Sequence, residues 1–222
     1  MALSAARGAP RSTVYNIFRK FQGDGTWAKI WDALYPALRE QAGREASATA
    51  GAIGSQTVKP AEKGGPKHGN RPPDAPDSVG YDAGKKIKGR KIHALVDAIG
   101  LPLRLAVHSA GIQDRDGATL LSDKIRKRFP WLECVFADCG YNARQTFEAA
   151  AANHPLRLEI VRRNPDAEGF EVIPRRWVVE RTFSWLGRNR RLAKDFENLA
   201  DTLLAFATLA AIALGIRRLA RG

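Results

Sequence analysis

The chain has 222 residues, which is enough for one sizeable hydrophobic core and a small appendage. Its 36 lysines and arginines outnumber 23 aspartates and glutamates, giving a net charge of +13 and an isoelectric point of about 10.2. This charge indicates nucleic acid as the first candidate partner and an acidic membrane as the second. The two cysteines form no CxxC pair, which argues against a zinc site and favours a reduced cytosolic protein. The N-terminus has no basic segment followed by an apolar core, so we expect no signal peptide.

Two short amphipathic segments come first along the chain. Apolar residues at helical spacing predict a helix over 12–21, capped by the serine and threonine at 12–13. A Gly-Asp-Gly turn at 23–25 separates it from a second predicted helix over 27–41, which Thr26 caps. The spacing fits a helix-turn-helix fragment and a plain helical hairpin equally well, so both alternatives stay open.

The middle of the chain alternates strand and helix patterns. A weak strand over 46–53 precedes a loop over 59–84 that is rich in proline, glycine and lysine. Two apolar runs at 85–97 and 101–108 flank a short turn and predict a β-hairpin. Further patterns predict, in order, a helix, a short buried strand, a helix, a strand and a fragment of strand, at 116–129, 132–137, 142–152, 156–161 and 170–173.

The stretch 175–192 predicts an amphipathic helix with one acidic residue on a basic face. Apolar and aromatic side chains fall on one arc, whereas Glu180 falls among arginines on the other. One interpretation is a surface helix whose glutamate is balanced by arginines. The alternative is a carboxylate that holds a metal beside a phosphate track, with Trp177 stacked on a base or packed at the rim.

A final apolar segment over 199–219 predicts a buried helix, since its apolar run is too short to span a bilayer. The whole order of elements is that of a ribonuclease H-like fold, an α/β architecture with a mixed sheet flanked by helices. In that layout a carboxylate on the first strand, one after the fourth strand and one on a late helix converge at one sheet edge. We expect a helical segment over 1–43 and a ribonuclease H-like domain over 44–222, including the loop 59–84.

Six motifs cover most of residues 53–195: VKPAEKGG, GYDAGKKIKGRK, LVDAIGLPL, QDRDGATLL, FADCGY and PRRWVVERTFSWLGRNRRL. They resemble bacterial insertion-sequence transposases of the DDE type, in the family-five group. The stretch DGTWAKIWDAL resembles the end of that group's N-terminal helical DNA-binding domain, which would here be truncated at its start.

The resemblance implies metal-dependent cleavage and strand transfer at the ends of a mobile element. In that family three carboxylates bind two divalent cations, and Mg²⁺, or Mn²⁺ in its place, suits such oxygen ligands. The resemblance places the second carboxylate at Asp138 and the third at Glu180. The first belongs to an Asp-Ser-Gln run, where this chain has Gly54 before Ser55. Since glycine has no ligand atom, we expect the chain to bind DNA but to cleave it poorly, with chemistry slowed roughly a thousandfold or more.

Other acidic side chains are candidates to replace the missing ligand. In a ribonuclease H-like layout, Asp82 or the pair Asp114 and Asp116 would lie near the same sheet edge. The alternative is that Asp114 and Asp116 cap a helix. We expect His93 and His108, which fall in predicted strands, to be packed or surface residues rather than metal ligands.

Two groups of side chains are the predicted DNA contacts. The first precedes the hairpin and is either a solvated strand end or, as the resemblance favours, a phosphate-binding cluster. The second surrounds Glu180, where the resemblance implies basic positions. The first group consists of Lys85, Lys86, Lys88, Arg90 and Lys91. The second group consists of Arg176, Trp177, Arg181, Arg188 and Arg191.

The predicted partners are double-stranded DNA, as the terminal inverted repeats of the element and as target DNA, and further copies of the chain in a homo-oligomer. The predicted location is the bacterial cytoplasm at the nucleoid, with no membrane partner. The alternative function is a non-catalytic DNA-binding remnant or regulator, and Gly54 is the residue that separates the two. A general nuclease for RNA–DNA hybrids is a weaker alternative, because the arginine-rich helix is typical of the transposases.

Overall fold

The structure is a computed structural model that describes residues 9–62, 78–122, 125–141, 156–162 and 176–221. The elements predicted at 142–152 and 170–173 lie outside these residues. Within them the chain forms six strands and six α-helices. The strands are β1 (Ala50–Val58), β2 (Gly80–Asp82), β3 (Ile87–Asp97), β4 (Pro102–Ser109), β5 (Cys134–Ala137) and β6 (Arg157–Ile160). The helices are α1 (Arg11–Gly23), α2 (Thr26–Gln41), α3 (Asp114–Ser122), α4 (Ile125–Arg128), α5 (Trp177–Gly187) and α6 (Ala200–Leu219).

The described strands form one mixed sheet with β1 at its centre. The order across the sheet is β2-β3-β1-β5-β6, and β4 pairs with the part of β3 that lies beyond β2. β1 runs antiparallel to β3 and parallel to β5, and β6 continues the parallel side. With helices packed against it, this sheet confirms the predicted α/β architecture of the ribonuclease H-like kind.

Most elements lie close to their predicted positions, but several boundaries were predicted wrongly. The strand expected at 46–53 is β1, which extends to Val58 because its pairing with β3 continues to that residue. β2 lies inside the predicted loop at 59–84, since so short a strand has no pattern of its own and pairs only with β3. The helix predicted at 116–129 is described as two helices, the first of which begins at Asp114.

The helical predictions at the two ends of the chain are confirmed with smaller changes. α1 begins after Pro10 without a capping side chain, so the cap predicted at 12–13 was wrong. The helix predicted at 175–192 ends at Gly187 and is followed by a short 3₁₀ turn. By length and composition α6 is apolar enough to cross a membrane, but eight of its residues are buried and it packs against α2 and β4. α6 is therefore a core helix, as the sequence predicted.

Asp97, the last residue of β3, joins α2 to the sheet. One of its carboxylate oxygens accepts a hydrogen bond from the Tyr35 hydroxyl at 3.2 Å and another from the Arg39 guanidinium at 2.5 Å. Its other oxygen accepts two backbone N–H groups of the turn that leads to β4. The second N-terminal helix is thus bonded to the sheet, and the division into 1–43 and 44–222 stays a prediction.

A buried ion pair connects β3 to the segment between α5 and α6. Arg90 Nη1 lies 3.1 Å from Asp195 Oδ2, and both side chains are fully buried. The guanidinium also donates to the backbone carbonyls of Glu197 and Asn198, at 3.0 and 2.8 Å. Burial raises the pKa of the Asp195 carboxyl, and the charge of Arg90 opposes this shift. The pair fixes the path of the chain between the two helices that close over the sheet.

We expect Arg90→Met to lower the free energy of unfolding by about 3–5 kcal/mol, because it leaves the Asp195 carboxylate buried without its cation. Urea unfolding of the purified chain measures this loss. Lys88→Met is the matched control, since Lys88 is exposed on the same strand. A loss for Arg90→Met as small as that of the control would contradict the structural role of the pair.

Candidate functional site

The parallel pairing of β1 with β5 brings two of the predicted site positions together. Ala52 pairs with Phe136, and continuing that register by two residues places Gly54 level with Asp138. The α-carbon hydrogen of Gly54 faces α5, because a Cβ built there would lie 2.9 Å from Val179 Cγ1. The position that the resemblance assigns to the first carboxylate therefore adjoins the second, under the helix that carries the third.

Asp138 and Glu180 converge on one guanidinium. Arg176 Nη2 lies 3.3 Å from Asp138 Oδ2 and 2.7 Å from Glu180 Oε1, so these two carboxylate oxygens are at most 6.0 Å apart. The Arg176 side chain is mostly buried, whereas Glu180 is exposed. A buried hydrogen bond from the Thr182 hydroxyl to the carbonyl of Gly100 holds α5 against the sheet. The tertiary fold thus assembles a cation and two carboxylates at the end of β5.

The donor atoms at this position do not fit the two-cation site that the resemblance implies. Such a site needs three carboxylates, and residue 54 supplies no ligand atom. Among the residues that the structure describes, no group of three histidine, cysteine, aspartate or glutamate side chains is arranged to hold a metal ion. Arg176 instead supplies the positive charge between Asp138 and Glu180.

The replacement ligands proposed from the sequence lie in different surroundings. Asp114 accepts hydrogen bonds from the Ser55 hydroxyl at 3.1 Å and from Lys91 Nζ at 2.8 Å. A Cβ built on Gly140 would lie 2.9 Å from Asp138 Oδ1 and 3.9 Å from Asp114 Oδ2, so those two oxygens are at most 6.8 Å apart. Asp114 therefore approaches Asp138 from the side of the sheet opposite α5.

Asp82 and Asp116 are held differently from Asp114. Asp82 is buried, where its carboxylate accepts from the Thr57 hydroxyl at 2.7 Å and from the backbone N–H of Lys85 at 3.0 Å. Asp116 lies at an exposed position in the first turn of α3, 3.8 Å from Arg115. Of the three candidates, Asp114 is the one that the structure brings near Asp138, and its part as a replacement ligand stays a prediction.

A pair of buried histidines, one on β3 and one on β4, lies next to Asp114. His93 and His108 are buried with their rings 4.7 Å apart, in agreement with the packed role predicted for them. His93 Nε2 lies 3.7 Å from Asp114 Oδ1, and a Cβ on Gly117 would lie within 2.8 Å of both Nε2 atoms. Only a glycine leaves room for the two rings here. The sequence contained Gly117 within QDRDG, but nothing in its spacing linked that glycine to the histidines.

Burial lowers the pKa of both histidines. For His93 the lowering reaches about 3, with burial as the largest cause, followed by the neighbouring His108. Asp114 acts in the opposite direction, whereas Lys91 and Lys85 add to the lowering. His108 Nδ1 lies 2.8 Å from the backbone carbonyl oxygen of Ser109, which can only accept, so Nδ1 carries the proton and donates it. Both rings are therefore neutral at physiological pH.

The first predicted DNA-binding group divides into exposed and buried residues. Lys85, Lys86 and Lys88 are exposed, and Lys85 Nζ donates to the hydroxyl and carbonyl of Ser55 at 3.0 Å. Arg90 is fully buried in its ion pair with Asp195, and Lys91 is buried between Asp82 and Asp114. A buried cation that already binds a carboxylate has no path to a phosphate, so the structure does not support the prediction for these last two residues.

Two members of the second group, Trp177 and Arg181, are stacked on each other. The Arg181 guanidinium lies 4.2 and 4.6 Å from the ring centroids of Trp177 and Trp185, and Arg218 of α6 lies 4.3 Å from the centroid of Trp185. Arg181 also donates to the carbonyl of Ile99. This row joins α5 to α6 through cation–π contacts. Trp177 keeps 45% of its surface exposed at the end of the row.

The remaining basic residues lie beyond the end of α5. Arg188 follows the helix and is exposed. Arg191 pairs with Glu197 at 2.6 Å and lies over the ring of Phe206, so it has a structural partner in addition to any ligand. The predicted contacts that the structure leaves exposed or next to the two carboxylates are therefore Lys85, Lys86, Lys88, Arg176, Trp177, Arg188 and Arg191.

Residues 47–215 match the family model described as the transposase DDE domain. Over 128 residues the chain is 33% identical to a putative transposase for insertion sequence element IS402 from Burkholderia cepacia. That alignment covers 54% of this chain and 60% of the relative, so the chain spans about 60% of the length of the curated relative it matches. No solved structure matches the chain.

The neutral histidine pair predicts how stability depends on pH. Since both pKa values are lower in the folded state than the usual 6.5, the unfolded chain binds more protons as the pH falls below about 6.5. The free energy of unfolding is then lost toward acidic pH, by about 2 kcal/mol at pH 5 relative to pH 8 for each histidine that stays neutral. Urea unfolding between pH 5 and 8 measures this slope.

The double variant His93→Gln and His108→Gln is the control for that measurement. It removes both titrating groups while Asp82 and Asp114, whose pKa values are lowered, stay ionised over the same range. An unchanged slope in the double variant would show that other groups carry the pH dependence.

Proposed function

The chain belongs to the DDE transposase family, and on this premise we propose that it is an insertion-sequence transposase chain that binds DNA at the element ends but is impaired in strand cleavage. The observation that carries the proposal is the pairing of Asp138 and Glu180 across Arg176, next to a glycine at the first carboxylate position. Two of the three expected acidic positions are thus occupied and brought together. The remaining position, the first of the three, is filled by Gly54, which has no ligand atom.

The family generally uses divalent metal ions, and in this chain Asp138 and Glu180 are the residues available to a cation. We propose Mg²⁺ as the natural ion on the grounds of hard oxygen donors. Because the donor set is incomplete, a cation at these two residues competes with Arg176 for the same carboxylate oxygens. We expect strand cleavage to be impaired because Gly54 supplies no ligand atom for a metal ion.

DNA binding rests on the charges that remain at the surface. Lys85, Lys86 and Lys88 are exposed near the start of β3, and Lys85 reaches Ser55 beside Gly54. The guanidinium of Arg176, beside the two carboxylates, has a geometry that suits a phosphate as well as a carboxylate. Double-stranded DNA of the element ends is the proposed partner, with a homo-oligomer in the cytoplasm as the proposed assembly.

The alternative function is a DNA-binding regulator that no longer cuts DNA. Gly54 and the internal neutralisation of both carboxylates by Arg176 favour this alternative over a fully active enzyme. The two functions share the same DNA-binding surface and differ only in cleavage. Restoring the missing carboxylate therefore distinguishes them.

We expect Gly54→Asp to raise strand cleavage at the element's own ends in Mg²⁺ or Mn²⁺ by roughly a thousandfold, since a third carboxylate is worth several kcal/mol of metal assistance. The new Cβ approaches Val179, so Gly54→Asp with Val179→Ala is assayed beside it to relieve that contact. Plasmid-borne end cleavage is the measurement.

Gly54→Asn is the matched control for this assay, because it has a similar volume and no charge. Cleavage by the unaltered chain at the rate of the aspartate variants would mean that another carboxylate serves as ligand. The proposal that strand cleavage is impaired would then be wrong. In that case Asp114→Asn identifies the replacement.

We expect the double variant Lys86→Gln and Lys88→Gln to reduce the salt dependence of DNA affinity. Each phosphate contact contributes a slope of about 0.9 in a plot of log affinity against log salt, so losing two contacts lowers the slope by about 2. Fluorescence anisotropy over a salt series measures it. Lys127→Gln is the control. Lys127 is exposed on α4, before the start of β5, whereas Asp138 lies after the end of that strand. Equal slopes for both variants would remove these lysines from the interface.

A further inference from the structure

Helix α1 is held against the rest of the chain by a small aromatic cluster. The ring centroids of Phe18 and Phe21 lie 6.2 and 5.0 Å from that of Trp27 in α2. Phe18 also stacks on Phe206 of α6, with 5.0 Å between the centroids. No residue of α1 is buried, so the helix is anchored by rings that come from its second half alone.

The first half of the same helix leaves its apolar side chains exposed. Val14, Tyr15 and Ile17 keep 54%, 61% and 46% of their surface exposed. Val14 and Ile17 lie one turn before Phe18 and Phe21, and residues four apart share one face of a helix. The packed apolar stripe of α1 therefore continues as an uncovered one, which is typical of an interaction surface.

A groove of about 860 Å³ opens beside these side chains, between α1 and the start of α6. Its apolar lining includes Val14, Tyr15 and Ile17 from α1, and Phe206 and Leu209 from α6. A second cavity of about 510 Å³ adjoins it, because the two share part of their lining. The chain thus carries an exposed apolar helix face and an apolar groove side by side, as a self-complementary interface between two copies requires.

The two helices that border the groove differ in charge. α1 contains three basic residues and no acidic one, and two of the three, Arg11 and Arg19, line the groove. At the start of α6, Asp201 is exposed and lines the adjoining cavity. Glu197 also lines the groove, but it already pairs with Arg191 at 2.6 Å. The α1 side is therefore basic, and the free charge at the start of α6 is acidic.

We propose that two copies of the chain associate through this face, each laying the exposed half of α1 over the groove of the other. The arginines of α1 in one copy then lie toward Asp201 of the other, and two-fold symmetry makes each contact twice. DNA fits the face poorly, because Asp201 repels phosphate and the lining is apolar. An acidic protein would satisfy the arginines but be repelled by Asp201, whereas a second copy satisfies both signs.

The inference deepens the homo-oligomer of the proposed function by naming its interface. Sedimentation equilibrium of the full chain without DNA measures the dissociation constant of the dimer. We expect Tyr15→Ala to raise this constant about tenfold or more, because a tyrosine near the centre of an interface commonly contributes that much. Tyr81→Ala is the matched control, since Tyr81 is 57% exposed and lies outside the groove, and we expect it to leave the constant unchanged.

A charge exchange tests whether the occupant is a second copy. One variant carries Arg11→Glu and Arg19→Glu, and the other carries Asp201→Arg. Each alone is expected to be monomeric where the unaltered chain is dimeric, because like charges then meet at both symmetric contacts. An equal mixture of the two variants is expected to dimerise again, since the glutamates of one chain face an arginine of the other.

The outcomes separate the two proposals. Weakening by Tyr15→Ala and restoration on mixing support the inference, with thermal unfolding unchanged because all the substituted residues are exposed. A monomeric unaltered chain, or a dimer that these variants do not weaken, overturns it. Restoration only when all three charge changes are in one chain shows that the charges meet within a copy, and also overturns it. Since no DNA is present, such a failure leaves the proposed DNA binding and cleavage intact, and these are tested separately on the element ends.

Discussion

The close approach of α5 to the central strand β1 is the constraint on which the site depends. Residue 54 has no side chain, and Val179 occupies the space in front of it, where a Cβ would lie 2.9 Å from a valine methyl. This contact sets the height of α5 above the sheet, and so fixes where Glu180 and Arg176 stand relative to Asp138. A buried hydrogen bond from the Thr182 hydroxyl to the carbonyl of Gly100, in the turn after β3, holds α5 against the sheet further along the helix.

A large part of the positive charge serves the fold rather than a ligand. Arg39 neutralises Asp97, Arg90 neutralises Asp195, and Lys91 neutralises Asp114, all at buried or nearly buried positions. Burying such charges is favourable only when the partners and their hydrogen bonds are complete, which explains why each cation here has a carboxylate and at least one carbonyl or hydroxyl nearby. The net charge of +13 is a property of the whole chain. Among the described residues, the lysines of the β2–β3 turn and Arg188 after α5 are examples of exposed charges that remain for a polyanion.

Arg176 is the cation that joins the two carboxylates of the site. A guanidinium that pairs with two carboxylates makes the pocket less negative and orders both side chains without an added ion. The same guanidinium is a good ligand for phosphate, so its choice of partner depends on what else enters the site. With Gly54 beside it, this arrangement is the basis for the proposal that the chain binds DNA but cleaves it poorly.

The sequence by itself determined the order of elements, because hydrophobic periodicity is local and survives without tertiary contacts. It identified the hairpin, the short strand that ends before Asp138 and the helix that carries Glu180, and the motifs pointed to Gly54 as the departure from the family. It could not locate β2, whose three residues form a strand only by pairing with β3. Nor could it separate Arg90 and Lys91 from Lys85, Lys86 and Lys88, since five neighbouring cations look alike until the fold buries some of them. Only the tertiary structure decided which charges meet, because residues far apart in the chain, such as Ser55 and Asp114 or Arg90 and Asp195, come together through the sheet and not through spacing.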